Sequence, residues 1–549
     1  MNILGISCFF HDAGAALIQD GALVAAAEEE RFSRKKHDYD FPRRAIDFCL
    51  KAGGVRGQDL DMVVFFEKPF LKFDRILRST MSTFPKSRGV FQESMIAWMT
   101  EKLWIKGQIR QHLKVDESKI VFSDHHLSHA ASAFFCSPFD EAAILTVDGV
   151  GEWATATYGI GRGTDIRVLR EIRFPHSLGL LYSAFTAFLG FEVNEGEYKV
   201  MGMAPFGQPR YVDKVWKLVS QESDGSFHLN MEYFTFHRST HQTFSRKFVD
   251  LFGPAREPDA LFFTASSGFP SYFGARPASY DSLAKQNQHY ADIAASIQVV
   301  TEEMMLKMAS HLHRETGLKR LCLAGGVALN SVANGRILRE TPFEELFIQP
   351  AAGDGGGAVG AALVGYHMIL GKPRDFVMRH AYWGQEHSVG DVDAFVRSNN
   401  VAHTRYENDD RLMTRVVEHL QAGKVIGWFQ GRFELGPRAL GNRSILADPR
   451  NPSMKDIVNT KIKFREPFRP FAPSVLVERA EEFFDLPDAA RHHPARYMLY
   501  VVDVKAGQGA RIPAVTHVDG TARLQTVRRP RRSAPSAAAA WTCSSWVNT

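Results

Sequence analysis

The first forty residues alternate short apolar runs with polar turns. Ile3 to Ser7, Ala15 to Ile18 and Leu23 to Ala27 have strand length, and His11-Asp12-Ala13-Gly14 and Gln19-Asp20-Gly21 separate them. Apolar runs bounded by such residues predict a strand meander. The layout returns at Ala143 to Val147, Asp148-Gly149-Val150-Gly151-Glu152 and Ala154 to Ile160, after which Gly161-Arg162-Gly163 turns the chain again. Two hairpins, each with an early polar turn, form a weak internal duplication and predict two lobes.

Between and after them the spacing becomes helical. Ser177 to Phe191 and Tyr290 to Thr316 carry apolar residues every three or four positions. Residues 221–280 are rich in Phe, Ser, Gly and Pro and read as a loop-rich insertion, which can frame an acceptor pocket or simply fill space. Leu321-Cys322-Leu323-Ala324-Gly325-Gly326-Val327-Ala328-Leu329-Asn330 predicts a buried strand that runs through glycines into a helix. Leu346 to Gln349, Pro350 to Gly357 and Ala358 to Leu363 repeat that scheme. Gly325, Gly326, Gly355 and Gly356 would let a nucleotide approach the backbone at a helix N-terminus. The pattern suggests an α/β chain with the two-lobed fold of actin, sugar kinases and heat-shock ATPases.

After about residue 372 the character changes. Gly371-Lys372-Pro373-Arg374 reads as a linker, and a second α/β unit with basic and aromatic stretches follows. The boundaries expected are 1–372, 373–527 and a tail at 528–549. The tail begins Arg528-Arg529-Pro530-Arg531-Arg532, runs into Ala537 to Ala540, and has a composition that cannot bury a core. It is expected to be disordered and to reflect a frameshift or truncation.

Composition narrows the class. With 549 residues, 45% hydrophobic and 23% charged, the chain suits two or three globular domains. There is no apolar run of membrane-spanning length and no basic stretch ahead of an apolar one at the start. The five cysteines are scattered, with no Cys-x-x-Cys pair, which fits a reducing cytoplasm and argues against a cysteine-built zinc site. The net charge of +5 owes four units to Arg528, Arg529, Arg531 and Arg532, so about +1 remains elsewhere. Nucleic acid is therefore not an expected partner.

The chemistry concentrates in Ser123-Asp124-His125-His126-Leu127-Ser128-His129-Ala130. On a helix, His125 and His129 lie one turn apart on one face, where two imidazoles can share a transition-metal ion. The alternative is two packed histidines with Asp124 as helix N-cap. Asp148 and Asp354, each at a strand end before glycines, would complete a first shell for iron, manganese or zinc. His126 points elsewhere. In the first turn, His11 is either an exposed neighbour of a turn-forming Asp12 or a general base. Glu28-Glu29-Glu30-Arg31 and Arg34-Lys35-Lys36-His37 form a charge run that suits a solvated face or an acceptor contact. In Glu195 to Ala204, Met201 and Met203 suit the core, and Lys199 either reaches a phosphate or does not. In the second unit, Arg438, Arg443, Lys461, Arg465 and Arg469, interleaved with Gly and Ser, suit a polyanion such as a triphosphate.

Phe10-His11-Asp12-Ala13, Glu28 to Phe32, Asp124 to Ala130, Thr146 to Gly149, Lys199 to Gly202, Ala324 to Asn330, Gly436 to Ser444 and Arg469 to Pro473 appear in this order. In them the chain resembles the O-carbamoyltransferases of nodulation-factor and antibiotic tailoring (NodU- and CmcH-like), from Asn2 to about Val527. The resemblance implies an N-terminal domain similar to tRNA threonylcarbamoyl transferases and a C-terminal one similar to threonylcarbamoyl-AMP synthases. It implies that ATP, with magnesium, and carbamoyl phosphate give carbamoyl-adenylate, from which the carbamoyl group passes to a hydroxyl of a small acceptor. Family metal ligands map onto His125, His129, Asp148 and Asp354, with iron(II), manganese or zinc as the ion. Gly325, Gly326 and Asn330 become candidates for the nucleoside end. Arg438, Arg443, Lys461, Arg465 and Arg469, with Arg523 the weaker candidate, become the carbamoyl phosphate and ATP pocket. Family members usually continue past Val527 with a structured end, and this chain departs there, which puts the last strands of the second domain in doubt. A kinase or ATPase of the same fold, or an inactive nucleotide-binding homologue, are the competing readings. Membrane association is not expected, and a homodimer is compatible with everything above.

Overall fold

The computed structural model describes residues 1–270, 274–406 and 408–529. The expected tail lies outside the described residues from 530 onward. The chain divides into two compact units, one ending at Met378 and the other starting at Arg379.

In the first unit the chain forms β1 (Asn2–Ser7), β2 (Gly14–Gln19), β3 (Ala22–Glu28), α1 (Glu30–Ser33), α2 (Arg43–Gly53) and β4 (Met62–Phe65). Next come α3 (Pro69–Ser82), α4 (Arg88–Thr100), α5 (Ile105–Leu113), β5 (Ile120–Phe122) and α6 (His125–Phe134). A second set follows: β6 (Glu141–Val147), β7 (Ala154–Arg162), β8 (Asp165–Arg173), α7 (Leu178–Phe188), α8 (Glu197–Met203) and α9 (Val212–Val215). The unit ends with β9 (Val219–Gln221), β10 (Phe227–Leu229), α10 (Arg246–Phe252), α11 (Tyr280–Thr316), β11 (Arg320–Ala324), α12 (Ser331–Glu340), β12 (Glu345–Phe347) and α13 (Gly357–Leu363).

The duplication read from the hairpins extends to whole sheets. One sheet has the order β3-β2-β1-β4-β5 and the other β8-β7-β6-β11-β12. In each, the first strand lies centrally, starts an antiparallel meander on one side and pairs parallel on the other. This is the two-lobed α/β arrangement. Its central strands β1 and β6 are buried on both faces, so they read as continuous apolar runs rather than alternating ones.

Several expectations are adjusted. The long helix begins at Tyr280, ten residues before its apolar spacing becomes regular, and ends at Gly317 in the left-handed region. Gly161 and Arg162 belong to β7, paired with Ile166 and Asp165, so the turn starts at Gly163. The charge run is solvated only in its second half, where Arg34, Lys35 and Lys36 are exposed. Glu28 and Glu29 are buried, and Glu29 accepts the N–H groups of Ala45 at 2.8 Å and Arg44 at 3.3 Å. It thus serves the orphan donors at the start of α2. Arg374, in the expected linker, donates to Phe134 O at 2.6 Å, and Met378 N donates to Cys136 O at 2.9 Å, so this stretch is tied into the first unit.

Close backbone approach positions the functional turns. A Cβ on Gly5 would overlap the Ala358 carbonyl, and one on Gly360 would overlap the Ser128 carbonyl. α13 therefore lies directly against β1 and against α6. That contact sets Asp354, just before α13, beside the α6 histidines.

The described residues of the second unit form short strand pairs, two longer helices, α14 (Val389–Ser398) and α15 (Asp409–Gln421), and two one-turn helices, α16 (Met454–Ile457) and α17 (Ala480–Phe483). β13 (Tyr382–Glu386) pairs with β15 (Arg432–Glu434), and β14 (Ile426–Phe429) pairs with β16 (Arg443–Leu446), both antiparallel. β17 (Ser474–Leu476) runs parallel to β20 (Gln525–Val527), and β18 (Val501–Asp503) antiparallel to β19 (Thr521–Arg523). Leu412, Val416 and Ile426 form a small core between α15 and β14.

Candidate metal and transfer site

α6 starts at His125, but Asp124 does not cap it with its side chain. The Asp124 carboxylate instead takes Lys68 Nζ at 2.9 Å. The His125 N–H goes to Glu152, at 3.0 Å from Oε1, and the same oxygen accepts Lys68 N at 2.8 Å. One buried carboxylate thus satisfies a backbone donor at the start of α6 and another at the residue before α3. Arg75 of α3 adds a hydrogen bond to Gly151 O at 2.8 Å.

His125 and His129 bring their Nε2 atoms to 3.1 Å from each other. Asp148 Oδ2 lies 3.2 Å from His125 Nε2, and Asp354 Oδ1 lies 3.1 Å from His129 Nε2. All four residues are buried, and one ligand atom from each lies within 4.8 Å of the others. His126 turns away, to Thr146 Oγ1 at 2.6 Å and Ala154 O at 2.9 Å. Burial and the neighbouring imidazoles lower its pKa to about 3.

The donor set fits a transition-metal ion. Two imidazoles and two carboxylates converge on one point, a combination that suits iron, manganese or zinc. Without an ion, two imidazole nitrogens face each other and must share a proton or repel. Burial alone would keep His129 neutral, but the hydrogen bonds and charges of Asp148 and Asp354 raise its pKa to about 10. Against the same burial, the two histidines hold Asp148 well below the usual carboxylate range. Both Nδ1 atoms and Asp354 Oδ2 are buried with no hydrogen-bond partner among the described residues. Outer contacts are already in place. Gly326 N donates to Asp148 Oδ1 at 2.7 Å. Glu67 Oε2, paired with Lys72 Nζ at 2.6 Å, lies 3.9 Å from His125 Nδ1, on the side from which a carboxylate orients a metal-bound histidine but beyond hydrogen-bond distance.

The β1–β2 turn closes on the same point. His11 Nε2 is 3.9 Å from Asp354 Oδ2, and Asp12 Oδ2 holds His11 Nδ1 at 3.1 Å. Asp12 also takes His37 Nδ1 at 2.8 Å, and Glu30 accepts the His37 N–H at 2.9 Å. Asp12 sits in the left-handed region, at φ 56°, which lets its carboxylate reach both imidazoles. Burial opposes protonation of His11, but Asp12 and Asp354 raise its pKa to about 9.

The nucleotide candidates have mixed placements. Gly325 adopts φ 93°, and its N–H bonds Ala352 O at 2.8 Å. Asn330 caps α12 by accepting Ala333 N at 3.2 Å and exchanges hydrogen bonds with Gln298. A Cβ on Gly356 would overlap Gln349 and Ala351, so this glycine serves packing. One on Gly355 would meet Glu28 Oε1 at 3.4 Å and Asp12 Cβ at 3.8 Å, which places Gly355 beside the β1–β2 turn. Lys199 Nζ lies over the Phe191 ring, 5.6 Å from its centroid.

In the second unit, burial pushes the Arg523 guanidinium well below its usual pKa, and the charges of Arg438 and Arg469 push the same way. Lys463 is lowered by burial and by Arg465, Arg469 and Arg523. Arg523 Nε is buried without a hydrogen-bond partner among the described residues. Like charges drawn together around a buried guanidinium make this cluster a candidate anion site. Lys461 and Lys463 are both exposed, and it is Lys463 whose pKa the charges of Arg465, Arg469 and Arg523 lower, so Lys463 lies nearer these cations. Arg443 is committed elsewhere. It donates to Asn442 O at 2.8 Å and Gly431 O at 3.1 Å, with Phe429 and Phe433 rings 3.6 and 4.3 Å from its Cζ.

A carbamoyltransferase N-terminus family model matches residues 2–363, and a carbamoyltransferase C-terminus model matches residues 417–537. The chain belongs to the carbamoyltransferase family. An uncharacterized protein of Synechocystis sp. is 45% identical over 96% of this chain and 86% of its own. Nodulation protein NolNO of Sinorhizobium fredii is 38% identical over 95% of this chain and 70% of its own. Nodulation protein U of the same species is 36% identical over 96% of this chain and 88% of its own. Among solved structures, HypF of T. kodakarensis aligns with a TM-score of 0.35 and 16% identity over 68% of this chain and 48% of that one. These structural likenesses are too distant to bear on activity. Among the described residues, no helix is long and apolar enough to cross a membrane.

In this carbamoyltransferase, sequence reasoning quoted Glu152 as part of a turn and gave it no role. It passed over Glu67 and Lys72, and it placed Lys463 in the basic stretch without singling it out. None of these carries a local signal. Each acquires its surroundings from a segment distant along the chain, or, for Lys463, from the way its loop is laid down.

Proposed function

We propose that this carbamoyltransferase hydrolyses carbamoyl phosphate to carbamate and phosphate in its second unit and joins the carbamate oxygen to the α-phosphorus of ATP with release of pyrophosphate, and that its first unit transfers the carbamoyl group of the resulting carbamoyl-adenylate to a hydroxyl of a small acceptor, releasing AMP. The observation that carries the reading is the pairing of two unlike sites in one chain. One is a buried two-histidine, two-carboxylate group and the other a cluster of cations around Arg523.

Carbamoyl phosphate is a weak donor toward a neutral alcohol, and adenylation supplies a better leaving group. In the second unit Arg438, Arg469, Arg523 and Lys463 neutralise the phosphates and hold them in place. In the first unit His125, His129, Asp148 and Asp354 hold the metal ion. When bound, the ion acts as a Lewis acid toward oxygen charge that develops during transfer. Asp12 accepts the His11 Nδ1–H and fixes the ring, which presents Nε2 to the acceptor proton. Asp354 lies on the Nε2 side of that ring and raises its pKa, and an ion held by the four ligands would offset that carboxylate's charge.

A two-step assay tests the division of labour. His125→Ala/His129→Ala is expected to retain pyrophosphate release and lose transfer to any acceptor the wild type uses. Loss of both steps together in a folded variant would overturn the assignment.

A further inference from the structure

We propose that the α3–α4 hairpin is a homodimer interface, on which a second copy of this chain packs its own hairpin about a two-fold axis with the α4 helices antiparallel. The first observation is exposure. On α3, Phe70 is 73% exposed, and Leu71 and Met81 are exposed as well. Phe84, at the tip, is exposed too. On α4, Ile96 is 66% exposed, with Phe91 and Met99 beside it, and Trp104 just beyond is 62% exposed. The second is the character of α4. Seven of its thirteen residues, Val90, Phe91, Met95, Ile96, Ala97, Trp98 and Met99, are apolar, yet Trp98 is its one buried residue. A helix this apolar with so little of it covered has surface left for a partner.

Area points to a protein partner. The eight exposed residues together present about 950 Å², taking about 200 Å² for each fully exposed large side chain. A stable interface buries about 800 Å² per partner. Exposed apolar surface on this scale marks an interaction site.

Charge points to self-association. Arg88 stands in the first turn of α4 and Glu101 at its C-cap. Both have the wrong sign for the dipole of their own helix. Neither makes an ion pair among the described residues. Antiparallel packing of two α4 helices sets Arg88 of each copy against Glu101 of the other, and such a two-fold interface is self-complementary. A lipid surface would instead call for a uniformly basic flank. Here Lys86 and Arg88 are matched by Glu93 and Glu101, and Glu93 accepts from Thr240 Oγ1 at 2.7 Å.

Sedimentation equilibrium on the full chain at low micromolar concentration tests this, alongside flotation with anionic phosphatidylserine vesicles. The wild type is expected at twice the chain mass. Ile96→Glu/Met99→Glu is expected at the single-chain mass with unchanged circular dichroism. Arg88→Glu should weaken association at least tenfold, and Arg88→Glu/Glu101→Arg should restore it. A wild type at single-chain mass, a variant Ile96→Glu/Met99→Glu still at double mass, a failed charge-swap rescue, or a single chain that floats with vesicles would each overturn the proposal.

Discussion

His129 shows how much one residue depends on what fills its surroundings. The carboxylates of Asp148 and Asp354 raise its pKa to about 10, and Asp12 and Asp354 raise that of His11 to about 9. A folded pKa above the unfolded value of about 6.5 stabilises the fold fully below that pH, and the contribution fades as pH rises through the folded pKa. The metal-free protein, stripped with a chelator, is therefore expected to lose melting temperature between pH 7 and pH 10. The metal-loaded protein should hold steady over that range, because the ion replaces the protons. Differential scanning calorimetry on both forms checks this, and parallel curves would refute it. Glu152→Gln leaves backbone donors at the starts of two helices poorly satisfied. It should cost about 1–3 kcal/mol and lower the metal content, read by denaturation and by inductively coupled plasma mass spectrometry.

At the scale of elements, the site depends on two glycines. Gly360→Ala would force α13 away from the Ser128 carbonyl, and Asp354 would move away from His129 with it. Overpacking of this kind costs about 1–3 kcal/mol, and the metal content should fall in proportion. A variant that keeps full metal and full stability would show that the close approach is incidental. The same elements show what was legible beforehand. The spacing of His125 and His129, and the placing of Asp148 and Asp354 at strand ends before glycines, are local patterns, so they could be read without the fold. The equivalence of the two lobes was legible only in its hairpins, because the parallel partners β4, β5, β11 and β12 arrive after long crossovers. Glu29 and Glu152 were illegible for a related reason. A glutamate in a charge run, and one in a turn, look solvated until a distant helix brings its N-terminus to them.

At the scale of the whole chain, the two units are assigned different steps, and variants should separate them. Arg523→Ala is expected to reduce pyrophosphate release at least a hundredfold while metal content and transfer from supplied carbamoyl-adenylate persist. Arg443→Ala should act chiefly on stability, because its guanidinium ties backbone carbonyls together. Equal loss of pyrophosphate release in the two variants would place the donor pocket elsewhere. The basic character of this unit was legible in the sequence. Which cations lie near one another was not, since Lys461 and Lys463 stand two residues apart in the same basic stretch.

The most direct test of the central claim is incubation of the full chain with ATP, magnesium and carbamoyl phosphate, with the products resolved by mass spectrometry. The account predicts carbamoyl-adenylate and pyrophosphate, formed only when carbamoyl phosphate is present. Formation of ADP with no adenylate would contradict it and identify a kinase or ATPase on the same two-lobed fold.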